Sequence, residues 1–137
     1  MNTYKTGLAL GSGSSRGWAH IGVIEALQEA DIPINYVAGC SVGAFVGAIF
    51  ASGGLERLKK YVMEMDGESM FSFTDLTFLR SGLLDGDKKL QELFHMHSQK
   101  KDFTELEIPL KIVAADMYSG GQIVFDSGDL LKALRAS

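Results

Sequence analysis

The sequence predicts an α/β domain. Short apolar runs that read as strands, Thr6–Leu10, Tyr36–Ala38 and Leu110–Ala115, alternate with stretches at helical spacing. A glycine- and serine-rich segment joins the first strand to the first helix. A second glycine-flanked turn, Gly39-Cys40-Ser41-Val42-Gly43, stands between the second strand and an apolar helix. The 137 residues suffice for one domain with a core, and 46% hydrophobic content makes that domain globular.

The first strand, Thr6 to Leu10, ends on glycine. The loop that follows is Gly11-Ser12-Gly13-Ser14-Ser15-Arg16-Gly17. Such a loop presents several backbone N–H groups in one direction and suits an anion, either a phosphate or a transient oxyanion. It is a poor dinucleotide fingerprint, because the third glycine comes one residue late and Gly39-Cys40 stands where an acidic residue is expected. It also lacks the Gly-Lys-Ser/Thr of a phosphate-binding Walker loop. Trp18 to Ala30 reads as a helix with Ala19, Val23, Ala26, Leu27 and Ala30 on one face. His20, in its first turn, reads as a packing or surface residue, since no acidic group is evident to orient it.

The second strand runs into Gly39-Cys40-Ser41-Val42-Gly43, and Ala44–Ala51 continues as a helix. Gly-x-Ser-x-Gly in this context is a nucleophile elbow. The serine needs a sharp, strained turn that projects its Oγ from the sheet, and residues without side chains let strand and helix pass closely. A helix N-terminus behind Ser41 adds N–H groups and a positive dipole end where an oxyanion forms. The run Val37–Leu55 carries no charge, and Gly39, Gly43 and Gly47 are spaced as in membrane helix pairs. The residues are mostly small and lack a flanking basic cluster, so a buried helix lying tight on a sheet is the better reading.

Ser52-Gly53-Gly54 stops that helix, and Leu55–Met65 forms another with Arg57, Lys59 and Lys60. Met63 to Leu84 is irregular and rich in methionine and phenylalanine, compatible with an acyl channel, a lid, or a satellite core. Asp85-Gly86-Asp87 begins like a calcium loop, but Lys89 and Gln91 do not continue one, so Asp87 reads as the N-cap of a helix Lys88–His97. His95 and His97 point to different faces and make a poor metal pair. Gln122–Phe125 pairs back on Leu110–Ala115 around Tyr118-Ser119-Gly120-Gly121, and Asp126–Asp129 caps a last helix, Leu130–Ala136.

Net charge is −4 with a pI near 5.3 and no basic stripe, which excludes nucleic acid as an expected partner. The single cysteine, Cys40, permits no internal disulfide and fits a reducing compartment. The N-terminus leads into a strand without a signal-peptide pattern, so the expected location is cytoplasmic, with peripheral membrane contact compatible with the Met/Phe-rich stretch.

With loop and elbow together, the chain resembles the patatin-like phospholipases, in the bacterial branch similar to neuropathy target esterase. The resemblance is carried by Leu8-Ala9-Leu10-Gly11-Ser12-Gly13, Arg16-Gly17-Trp18-Ala19-His20-Ile21-Gly22-Val23 and Gly39-Cys40-Ser41-Val42-Gly43-Ala44. Later blocks are Ile108-Pro109-Leu110, Ala114-Ala115-Asp116, Ser127-Gly128-Asp129-Leu130 and Arg135-Ala136-Ser137. It implies a three-layer α/β/α sandwich and hydrolysis of lipid acyl esters by a Ser–Asp dyad, with lipid or a small ester as substrate and neither cofactor nor metal. Ser41 would be the nucleophile; N–H groups around Gly13, Ser14 and Ser15 would form the oxyanion hole; Gly11, Arg16, Gly17, Gly39 and Gly43 would support the motif. Ser14 and Ser15 stand where the family uses glycine and a small residue. The family's Asp-Gly-Gly/Ala motif follows the Arg-Ala-Ser block and has no counterpart here. Residues 1–137 are therefore expected to be the N-terminal part of the domain, truncated on its C-terminal side and self-associating to cover the bare surface. The alternative is a non-catalytic patatin-fold lipid-binding or interaction protein.

Overall fold

A computed structural model describes residues 4–68 and 84–137, and of residues 84–87 the backbone alone. One mixed sheet holds β1 (Gly7–Leu10), β2 (Tyr36–Cys40), β3 (Leu110–Ala115) and β4 (Gln122–Phe125), in that spatial order. The first three are parallel, and β4 returns antiparallel on β3. The helices are α1 (Ala19–Glu29), α2 (Val42–Ala51), α3 (Leu55–Glu64), α4 (Leu84–His97) and α5 (Leu130–Ala136).

The strand order decides where the helices go. Parallel crossovers are right-handed, and two successive ones stepping in the same direction place their helices on the same face. The register Leu8–Val37–Leu110 and Leu10–Gly39–Ile112 builds that face. All ten residues of α2 are buried against it, and α1, α3, α4 and α5 each touch α2. Gly47 brings the helix close, since a Cβ there would stand 2.9 Å from Val37 Cγ1. The charge-free run is thus split between a strand, a turn and a buried ten-residue helix. Among the described residues no helix is long and apolar enough to cross a membrane.

The other sheet face carries Ala9, Tyr36, Ala38, Lys111, Val113 and Val124. Tyr36 is 44% exposed and Val124 41%. Of the three layers, the described residues form the sheet and one helical layer. A groove of about 820 Å³ lies over this open side, lined by Gly7, Ala9, Ala38, Pro109, Lys111 and Asp126 among others. It covers the amino-terminal halves of the strands, away from the elbow at their carboxyl ends.

Two local expectations are corrected. The buried face of α1 is Ile21 and Ile24, while Ala19, Val23 and Ala26 are exposed. Both stripes are apolar; the bulkier side chains gain more by burial and win the core. The fourth helix begins at Leu84, so Asp87 lies inside it and is not its N-cap. The stretch 69–83, which holds most of the Met/Phe-rich segment, lies outside the described residues.

Charged and polar groups tie the helical layer together. Lys59 Nζ on α3 donates to Glu25 Oε1 on α1 at 2.5 Å, and that hydrogen bond, followed by the charge of Glu25, raises the Lys59 pKa. Arg57 Nη2 donates to the His97 carbonyl at 2.6 Å. The His97 ring is buried edge-on to Tyr61, and among the described residues neither of its nitrogens has a hydrogen-bond partner. Burial first, then the Arg57 charge, lowers its pKa and keeps it neutral. His95 is only half buried on the neighbouring face, as the two-residue spacing predicts.

Candidate active site

The elbow forms where β2 meets α2. Ser41 has φ 54° and ψ −125°, a backbone that L-residues rarely adopt. Such a conformation costs about 1–3 kcal/mol and persists only where its surroundings hold it. Here they are identifiable. A Cβ on Gly39 would come 2.6 Å from Ala44 N and Cα, so only glycine lets the strand pass the first turn of α2. A Cβ on Gly43 would collide with the carbonyl oxygens of Leu10 and Gly11. The helix therefore starts directly against the end of β1 and the loop that follows it.

That loop is seated on the elbow at further points. Ser14–Trp18 forms a 3-10 turn whose first internal hydrogen bond runs from Arg16 N–H to the Gly13 carbonyl at 3.0 Å. Gly17 is buried so tightly on Val42 that a Cβ would overlap the Val42 methyls. Ser12 Oγ donates to Cys40 Sγ at 3.4 Å. Gly13 has φ 158°, and Ser14, where a glycine is the family norm, takes φ 52°. Ser15 is half buried and Arg16 exposed, and the Arg16 N–H closes the turn on the Gly13 carbonyl. Gly11, Gly13, Ser14, Ser15, Arg16, Gly17, Gly39, Ser41 and Gly43 are thus brought together in one corner at the carboxyl edge of the sheet.

Two residues without an assigned part join this corner. His20 Nε2 lies 2.8 Å from the Gly11 carbonyl. A carbonyl only accepts, so the ring nitrogen carries the proton. The Ser41 N–H donates to Ser137 Oγ at 2.8 Å. The sequence offers a weak signal for His20, which sits one turn past a glycine loop; for Ser137 it offers only membership of a block.

No histidine or carboxylate among the described residues is hydrogen-bonded to Ser41 Oγ. Three of the aspartates are engaged elsewhere. Asp116 accepts from Tyr118 N–H and Ser119 Oγ in the hairpin turn, and those bonds, the backbone one first, lower its pKa. Asp102 accepts from Thr104 N–H and Oγ1 and is lowered in the same way. Asp129 caps α5 through Lys132 N–H. Among the described residues no group of three acidic, histidine or cysteine side chains could hold a metal.

A mostly parallel sheet with a strained serine at its carboxyl edge and a glycine-rich turn pressed against it defines an α/β protein with a Gly-x-Ser-x-Gly strand–turn–helix elbow. The family model described as patatin-like phospholipase matches residues 8–137, and the chain belongs to that family. An uncharacterized NTE family protein of Mycobacterium tuberculosis is 35% identical over 133 residues, covering 97% of this chain and 37% of the relative. Human patatin-like phospholipase domain-containing protein 6 is 34% identical over 135 residues, covering 95% of this chain and 10% of the relative. Neuropathy target esterase sws of Drosophila persimilis is 29% identical over 136 residues, covering 96% and 9%. The chain therefore spans little more than a third of the mycobacterial relative and about a tenth of the animal ones. The crystal structure of VipD from Legionella pneumophila shares the fold, with a TM-score of 0.56 at 14% identity over 96% of this chain and 41% of that one.

Proposed function

We propose that residues 1–137 are the N-terminal, nucleophile-bearing part of a patatin-like domain that cleaves lipid acyl esters through an acyl-enzyme on Ser41. The observation that carries this reading is the Ser41 backbone, φ 54° and ψ −125° between β2 and α2. The reading is supported by family membership and by relatives named phospholipase and esterase. Ser41 Oγ attacks the ester carbonyl carbon, its proton passes to a general base, and the carbonyl oxygen becomes an oxyanion. Collapse releases the alcohol, and water then frees the acid. Backbone N–H groups around Gly13, Ser14 and Ser15 are the proposed oxyanion donors, each worth about 3 kcal/mol of barrier. The base is an aspartate in the family's dyad, and it is not Asp102, Asp116 or Asp129, whose carboxylates already serve turns and caps.

The test is fluorophosphonate labelling of the parent chain and Ser41→Ala, read by intact mass. One adduct on the parent and none on the variant is the expected result, the base then coming from a residue other than those three aspartates or from a neighbouring copy of the chain. A folded parent that takes no adduct overturns acyl transfer by this chain and leaves the non-catalytic lipid-binding reading in its place.

A further inference from the structure

We propose that Ser137 is a positioning residue for the nucleophile, its hydroxyl replacing the strand partner that Ser41 loses on leaving the sheet. The inference rests on Ser41 being the nucleophile. The pairing of β2 with β3 ends at Cys40–Val113. The next amide belongs to Ser41, whose positive φ turns the chain out of the sheet. Its N–H donates to Ser137 Oγ at 2.8 Å, and Ser137 Oγ donates to the Val113 carbonyl at 2.6 Å. The directions follow from chemistry: an amide only donates, a carbonyl only accepts, and a hydroxyl does both. One side chain thus adds a bridged rung to the ladder at the residue that must be held out of line.

The arm that presents this hydroxyl is itself fixed. Helix α5 is capped by Asp129 and buries Leu130, Ala133 and Leu134 against the core. It touches α2, which follows the elbow, and β3, which pairs with the strand that leads into it. A strained backbone keeps its conformation only where neighbours over-determine it. Gly39 and Gly43 remove steric obstacles to the turn, whereas Ser137 supplies an attraction that holds it. Without the hydroxyl, the Ser41 amide and the Val113 carbonyl both lose a partner in a half-buried corner, and the elbow can relax away from the geometry that aims Oγ.

The experiment uses the parent chain, Ser137→Ala and Ser137→Thr. Amide hydrogen exchange at Ser41 reads the clamp, with Val37 and Ile112 as core references. The fluorophosphonate capture rate reads its consequence. In Ser137→Ala the Ser41 amide should exchange roughly tenfold faster and capture should slow by about the same factor, with the core references unchanged. Ser137→Thr, which keeps a hydroxyl, should restore both. Unchanged exchange in Ser137→Ala overturns the clamp. Faster exchange with unchanged capture overturns the positioning role and leaves a structural hydrogen bond. Faster exchange with a parent that is never captured overturns the hydrolase reading, and the positioning role with it. Loss of the core references' protection in both variants also overturns the proposal, because the hydroxyl would then serve the whole fold.

Discussion

Ser41 occupies a backbone conformation that a side chain resists, at φ 54° and ψ −125°. The strain is separable from the chemistry. Replacing Ser41 by glycine releases the strain, offset by the greater freedom glycine has when unfolded, for a net gain of about 1 kcal/mol. Ser41→Ala keeps a Cβ and should show no such gain. Urea denaturation of both variants checks this, and equal stability would mean that the elbow stores no strain. The serine itself was legible, because Gly-x-Ser-x-Gly states a steric requirement in sequence. His20 was not. Its partner is the Gly11 carbonyl rather than an acidic side chain, and a backbone acceptor leaves no mark in composition or spacing. Ser137 was hidden for the same reason: both its partners are main-chain atoms, at Ser41 and Val113.

At the scale of elements, the corner works because the loop and α2 interlock at two glycines of different kinds. Gly17 abuts the methyls of Val42, which can be trimmed. Gly43 abuts the carbonyl oxygens of Leu10 and Gly11, which cannot. Gly17→Ala should therefore cost about 1–3 kcal/mol, and much of that should vanish in a Val42→Ala background. The relief is partial, since Val42 Cβ would still lie 3.0 Å from the new methyl. Gly43→Ala should be at least as costly in either background. A double-mutant cycle by chemical denaturation measures both, and additive costs for Gly17 and Val42 would disprove the interlock. The same elements mark where sequence reading stopped. The strands and the hairpin were legible because apolar runs bounded by glycine or proline have few alternatives. The buried face of α1 was not, because two apolar stripes compete on a helix this rich in small residues. The start of α4 is not legible because Asp87 has cap chemistry in a place where the helix is already under way.

At the scale of the whole molecule, a monotonic strand order has a cost that no single motif reveals. Two crossovers stepping the same way cover one face of the sheet and leave the other to solvent. That face holds Ala9, Tyr36, Ala38, Val113 and Val124, interrupted by Lys111. β4 is also an edge, with its Gln122–Val124 exposed. An apolar sheet face beside an open edge promotes pairing between molecules. The 137-residue chain is accordingly expected to self-associate through this surface, on the opposite side of the sheet from the helical layer that supports the elbow. Light scattering across a dilution series should give a mass above that of one chain, falling on dilution. Val124→Lys places a charge on the exposed face and edge at once, so it should shift the distribution toward monomer while leaving fluorophosphonate capture at Ser41 unchanged. A monodisperse monomer in the parent at every concentration would end the idea. A shift in mass accompanied by loss of capture would instead place the contact near the elbow, where Ser41 and the Gly13–Ser15 turn would then be shared between copies.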